Sequence, residues 1–129
     1  MRESKYKRFV LTHFESDSAE PVAVTLIEGT LTSGTFFVTP LLVGQNHCIL
    51  EIHVKRGVFS KMHLHAHESF VCVVSGKLKT VVGEQVLELG RGDACRYPQN
   101  VMHSVEALED TVFLETKAPV PDLQAVFSA

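Results

Sequence analysis

At 129 residues, with 45% apolar and 21% charged side chains, the chain has the size and balance of one globular domain of the usual ~100–150 residues. A formal charge of −3 argues against a nucleic-acid binder, whose domains usually carry a concentrated basic face, and no apolar run reaches the ~20 residues that span a bilayer. Cys48, Cys72 and Cys95 form no CxxC and leave one odd thiol in any pairing, which fits reduced thiols in a cytoplasmic protein.

Residues 1–20 are polar and irregular, lack the apolar centre of a signal peptide, and read as a solvated end or an added edge strand. Their small basic cluster, Lys5, Lys7 and Arg8, fits a solvated terminus. From Glu28 onward, turn signals recur at Glu28-Gly29, Ser33-Gly34, Gly44-Gln45-Asn46, Arg56-Gly57, Ser75-Gly76, Gly83-Glu84, Gly90-Arg91-Gly92-Asp93, Pro98-Gln99-Asn100 and Glu109-Asp110. Between them lie short runs rich in Val, Ile, Leu, Phe and Thr, at 48–54, 70–74, 78–82, 85–89 and 111–116. Short strands at this spacing predict an all-β sandwich or barrel, and no window sustains the period of an amphipathic helix. A closed or double-sheet antiparallel body protects the strand edges.

Within 48–55, Leu50, Ile52 and Val54 share one face, while Glu51, His53 and Lys55 share the other, which makes His53 a solvent-side residue. Cys72, inside the apolar run 70–74, reads as a small core residue. From Ala118, two prolines discourage further pairing, and residues 123–127 are apolar enough to dock on the body or on a partner subunit.

The densest chemistry is His63-Leu64-His65-Ala66-His67-Glu68. On a strand, positions i and i+2 share a face ~6.5–7 Å apart, so two imidazoles can tilt onto one ion at ~2.0–2.1 Å per bond. His103, just past the Pro98 turn and flanked by Val101 and Val105 at its own parity, is the third candidate ligand. The plainer alternative is a polar strand face that happens to carry histidines. His13 and His47 have no partner at ligand spacing.

Two spaced motifs resemble those of the cupin superfamily. The first family pattern is Gly, five residues, His, one residue, His, three or four residues, Glu, six residues, Gly. Here Gly57, His63, His65, Ser69 and Gly76 stand at those positions. The second pattern is Gly, five residues, Pro, one residue, Gly, two residues, His, three residues, Asn, matched by Gly92, Pro98, Asn100, His103 and Ala107. The resemblance covers 57–76 and 92–107 and implies a double-stranded β-helix (jelly-roll barrel), a single cupin domain over 1–129. Inside it, His63, His65 and His103 would hold one divalent transition ion. Imidazole ligands do not choose among Zn, Fe, Ni, Mn and Cu.

Three positions depart from the family pattern. Asn100 replaces a glycine but tolerates left-handed backbone, and Ala107 replaces a residue that is not a usual ligand. Ser69 matters more, because the family commonly places a glutamate ligand there. Three readings follow: three histidines alone hold the ion, with water or substrate opposite; Glu68 or His67 supplies a fourth ligand; or the metal has been lost. Parity puts Glu68 on the opposite face from His63 and His65 and places His67 with His65, where the plainer reading is a rim residue.

The resemblance admits oxygen activation, sugar or uronate isomerisation, and simple ligand binding. A small metalloenzyme acting on an oxygen-rich small molecule is the leading expectation, with a non-catalytic binding or sensor module as the alternative. Glu68, His67 and Tyr97 are acid–base candidates by sequence proximity, although Tyr97 reads first as a packed strand residue before Pro98. Single-domain cupins are often homodimers, and the tail 123–127 or the strands within 26–43 offer surfaces for one.

Overall fold

Apolar residues at every second position, broken by glycine-bearing turns, are buried by forming strands. The computed structural model describes residues 12–129. The strands are β1 (Val22–Ile27), β2 (Thr30–Val43), β3 (Cys48–Val54), β4 (Glu68–Ser75), β5 (Lys77–Val82), β6 (Gln85–Gly90), β7 (Ala94–Tyr97), β8 (His103–Ala107), β9 (Thr111–Ala118) and β10 (Phe127–Ser128), with a one-turn helix α1 (Leu123–Val126) before the last. The pairings are antiparallel, in a seven-stranded sheet ordered β10-β1-β2-β3-β9-β4-β7 and a three-stranded sheet ordered β6-β5-β8. This is the all-β double-sheet body that the turn spacing predicts and the jelly roll that the resemblance implies. Each of the five expected segments falls inside a strand.

The two sheets face each other over Val24, Phe36, Val38, Leu50, Ile52, Val71, Leu78 and Phe113, each at most 3% exposed. Residues 57–65 follow β3 without forming a regular strand, yet they zip onto β8 and widen the small sheet. Phe59 bridges Glu106 on one side and Ser33 of β2 on the other, so one segment stitches the sheets together.

Two turn positions show what the backbone requires. At Gly76 φ is +90° and an added Cβ would lie 2.3 Å from the Asp110 carbonyl oxygen, so only glycine fits between β4 and β5. Asn100, standing where the family has glycine, adopts φ +61°, as its tolerance of that region predicts.

Two expectations need correction. Ser33-Gly34 does not separate strands. It sits within β2, where five residues of β2 pass two of β1 (Val24↔Phe36, then Leu26↔Leu31) and Gly34 takes φ +89°. A glycine inside a strand often marks such an irregularity. Cys72 is exposed, because Ser69, Val71 and Val73 point inward and the alternate residues Phe70, Cys72 and Val74 point outward. Residues 12–20 form no strand; the basic cluster and the rest of the expected irregular start, 1–11, lie outside the described residues.

After β9 ends at Ala118, the tail docks on its own body. Leu123, Val126 and Phe127 are 4–5% exposed, Asp122 caps α1 through Gln124 N–H, and β10 pairs with β1. The tail is therefore not free to form a subunit interface.

Candidate metal centre

The two motif segments meet through backbone hydrogen bonds. His63 N–H donates to the His103 carbonyl (2.9 Å) and His103 N–H returns to the His63 carbonyl (2.8 Å). Residues that exchange both bonds lie ~5.5 Å apart at Cα with side chains on one face. Asn100 N–H, donating to the His65 carbonyl (2.8 Å), extends the seam and brings His65 beside them. The ring centroids of His63, His65 and His103 are 4.4–4.9 Å apart, and one ligand nitrogen from each lies within 4.8 Å of the others. All three side chains are buried.

Hydrogen bonds at the far nitrogens decide the tautomers. His63 Nδ1 meets the Lys61 carbonyl (2.7 Å), His103 Nδ1 meets the Val101 carbonyl (3.3 Å), and His65 Nδ1 meets Glu28 Oε1 (2.6 Å). Carbonyl and carboxylate oxygens only accept, so each Nδ1 carries the proton and each Nε2 keeps its lone pair. Fixing the tautomer from the side away from the ion is how metal-binding histidines are oriented.

Electrostatics supports the same state. Burial lowers all three imidazole pKa values, that of His103 to about 4, and burial followed by the Lys117 ammonium pushes His65 furthest. At neutral pH the three rings are uncharged. Such nitrogens suit a divalent transition ion. The cavity they share with Tyr97, Glu115 and Phe127 measures about 20 Å³, more than the ~10–15 Å³ one water needs. The donor set thus fits one small ion.

The remaining sequence candidates separate clearly. Glu68 faces outward and pairs with Arg96 (3.2 Å). His67 is buried rather than at the rim: its ring stacks on His65 at 4.5 Å, and its Nε2 accepts from Lys117 Nζ (2.9 Å). Burial and the Lys117 charge lower the His67 pKa to about 4. Tyr97 is packed flat on His103, centroids 4.0 Å apart and planes within 7°. Thr80 Oγ1 donates to the Ser104 carbonyl (2.7 Å), so the Tyr97 hydroxyl donates to Thr80 (2.7 Å), and burial raises its pKa well above the usual phenol. Tyr97 positions His103. His53 is exposed and bonds Glu51 (2.7 Å), and His13 and His47 are exposed as well.

Three further residues belong to the site although their spacing announces nothing. Glu28 orients His65 while its backbone, at φ +50°, donates to the Val126 carbonyl (2.8 Å). Lys117 is fully buried, and its three N–H groups reach Glu115, His67 Nε2 and Ser69 Oγ (3.3 Å), with the Phe127 ring 5.1 Å away. Glu115 projects into the cavity from the same strand face.

A double-stranded β-helix with clustered motif histidines defines a class, and sequence comparison agrees with it. The Cupin domain family matches residues 50–116, and the chain belongs to that family. No curated protein sequence matches it. Among solved structures, a predicted oxalate decarboxylase from Thermotoga maritima is similar at TM-score 0.73 and 16% identity, covering 83% of this chain and 98% of its own. KdgF from Halomonas sp. is similar at 0.66 and 23%, covering 69% and 83%. An RmlC-like cupin from a Desulfovibrio desulfuricans subspecies is similar at 0.58 and 28%, covering 65% and 82%.

Proposed function

We propose that the chain is a single-domain metal-binding cupin whose His63, His65 and His103 hold one divalent transition ion through Nε2, and that it acts on a small oxygen-rich molecule. The observation that carries this reading is the set of three inward lone pairs, each fixed by a hydrogen bond at the opposite ring nitrogen. A dipositive ion held there would supply Lewis acidity toward a carbonyl, enol or carboxylate oxygen. Glu28, Lys61 and Val101 orient the rings, Tyr97 stiffens His103, and Phe36, Phe113 and Phe127 exclude bulk water. The likeness to a predicted oxalate decarboxylase agrees with a small oxygenated substrate.

A second reading, a non-catalytic binding module, is favoured by Ser69 standing where the family commonly has its glutamate ligand, and in either reading the cavity is small. About 20 Å³ is far below the ~300–1,000 Å³ of ordinary ligand pockets, so substrate entry needs the barrel to open. Elemental analysis of the purified protein, followed by a screen of uronates, keto acids and oxygen uptake, separates the two. Turnover lost in His103→Ala supports the enzyme. A bound ion with no turnover supports the binder, and protein without an ion after metal reconstitution defeats both.

A homodimer in the cytoplasm belongs to the same proposal. Its support is the outer face of the large sheet, where Phe70 (53% exposed) borders a groove of about 390 Å³ lined by Ile49, Cys72, Ala94 and Leu114, and Val74 (45% exposed) faces outward on the same strand. Light scattering of the purified protein at micromolar concentration tests it, a monomeric mass counting against.

A further inference from the structure

Glu115 and Lys117 are the charged residues that the barrel buries most deeply, and the histidine motifs account for neither. They lie two apart on β9, on the face that also turns Thr111 and Phe113 inward. A buried ion pair is costly to desolvate and is seldom retained for stability alone. Its position in the fold suggests what it does. β4 and β9 are register partners, with Ser69 opposite Lys117 and Val71 opposite Glu115. Ser69 is where the cupin pattern has its carboxylate, and Glu115 is the diagonal neighbour of that position, one strand across and one row along. Such neighbours lie ~7–8 Å apart, within reach of a long side chain.

We propose that Glu115 is the carboxylate of this metal centre, delivered from β9 in place of one at Ser69, and that Lys117 competes with the ion for it. The inference rests on the reading that His63, His65 and His103 bind a metal. Glu115 lines the same cavity as those three rings. One of its oxygens pairs with the Lys117 ammonium, and a carboxylate has two oxygens and about four lone-pair sites to share. Burial alone would raise its pKa. The Lys117 charge and hydrogen bond outweigh that effect, so the group is ionised where a dication would need it.

Lys117 stands opposite Ser69, and its ammonium reaches the Ser69 hydroxyl. Its remaining donors are taken by Ser69 Oγ and His67 Nε2, which explains why His67 is drawn inside instead of standing at the rim. In this arrangement the ammonium holds the carboxylate in place and charge-balanced until an ion arrives. Two cations then share one anion. The ion's affinity is set by the difference between them.

The opposed signs of two substitutions make the test. Co(II) affinity is measured by competition with a chromophoric chelator, and the visible Co(II) spectrum is recorded alongside, with circular dichroism as the check on folding. Glu115→Gln should weaken binding roughly 10–100-fold and alter the spectrum, while Lys117→Met should tighten it about tenfold or more. A merely structural role predicts weakening in both. Should either single variant fail to fold, Glu115→Gln with Lys117→Met removes the pair together, a change buried ion pairs often tolerate. That double variant should bind as weakly as Glu115→Gln. Wild-type affinity and spectrum in a folded Glu115→Gln or in the double variant overturn the proposal, and so does weaker binding in Lys117→Met. Retained binding in His63→Ala would instead defeat the histidine site on which the inference rests.

Discussion

Strands β4 and β9 turn Ser69, Glu115 and Lys117 toward the barrel interior and Phe70, Cys72 and Leu114 toward the outside. An antiparallel sheet commonly does the reverse, apolar residues in and polar residues out. The neighbouring strand β3 follows the ordinary rule, burying Leu50, Ile52 and Val54 and showing His53 to solvent. Two faces of one sheet therefore carry different burdens. Polar side chains are tolerated inside because each finds a partner there, and their desolvation cost marks the interior as a site. Apolar side chains outside lack that excuse, and their contiguity marks a surface for contact.

The comparison can be broken most forcefully at the inner face. Replacing His63 by Ala removes one of three ligands and should lower divalent-metal affinity roughly a thousandfold or more, read by chelator competition. Acid should act next. The pKa values of His67 and His103 fall to about 4 in the fold, below the ordinary 6.5, so the unfolded chain takes up their protons first. Their contribution is fully present above pH ~6.5 and is lost as pH falls toward 4, roughly 3 kcal/mol for each histidine taken alone. A thermal midpoint lower by ~10 °C or more at pH 4.5 than at pH 7, in protein stripped of metal, is the expected readout. Glu28→Ala leaves His65 without its orienting carboxylate and should reduce metal affinity ~10–100-fold, measured by the same competition. At the outer face the effect on stability should be smallest. Phe70→Ser should shift unfolding by no more than ~0.5 kcal/mol while reducing the mass seen by light scattering to that of one chain.

Much of this was legible because alternation and spacing are local properties. The strand β3 was bounded by its own residues, and the two histidine segments carried the family's spacing. Three features were not legible, for physical reasons. On β9 the outward set, Val112, Leu114 and Thr116, is more apolar than the inward set, Thr111, Phe113, Glu115 and Lys117, so hydrophobic alternation points to the wrong face. The same holds for β4, where Cys72 lies in an apolar run that is covered on one side only. Glu28 stands 37 residues from His65, and only the closed fold brings its carboxylate to the ring. Parity placed His67 with His65, but its burial depends on Lys117, from a strand fifty residues away.

An X-ray absorption measurement on the metal-reconstituted protein, with a crystal structure phased at the same metal's edge, tests the central claim most directly. Three imidazole nitrogens at ~2.0–2.1 Å for zinc, identified as Nε2 of His63, His65 and His103 around a single ion, are the expected result. An ion bound elsewhere, or an intact barrel whose three rings enclose none after reconstitution, would contradict it.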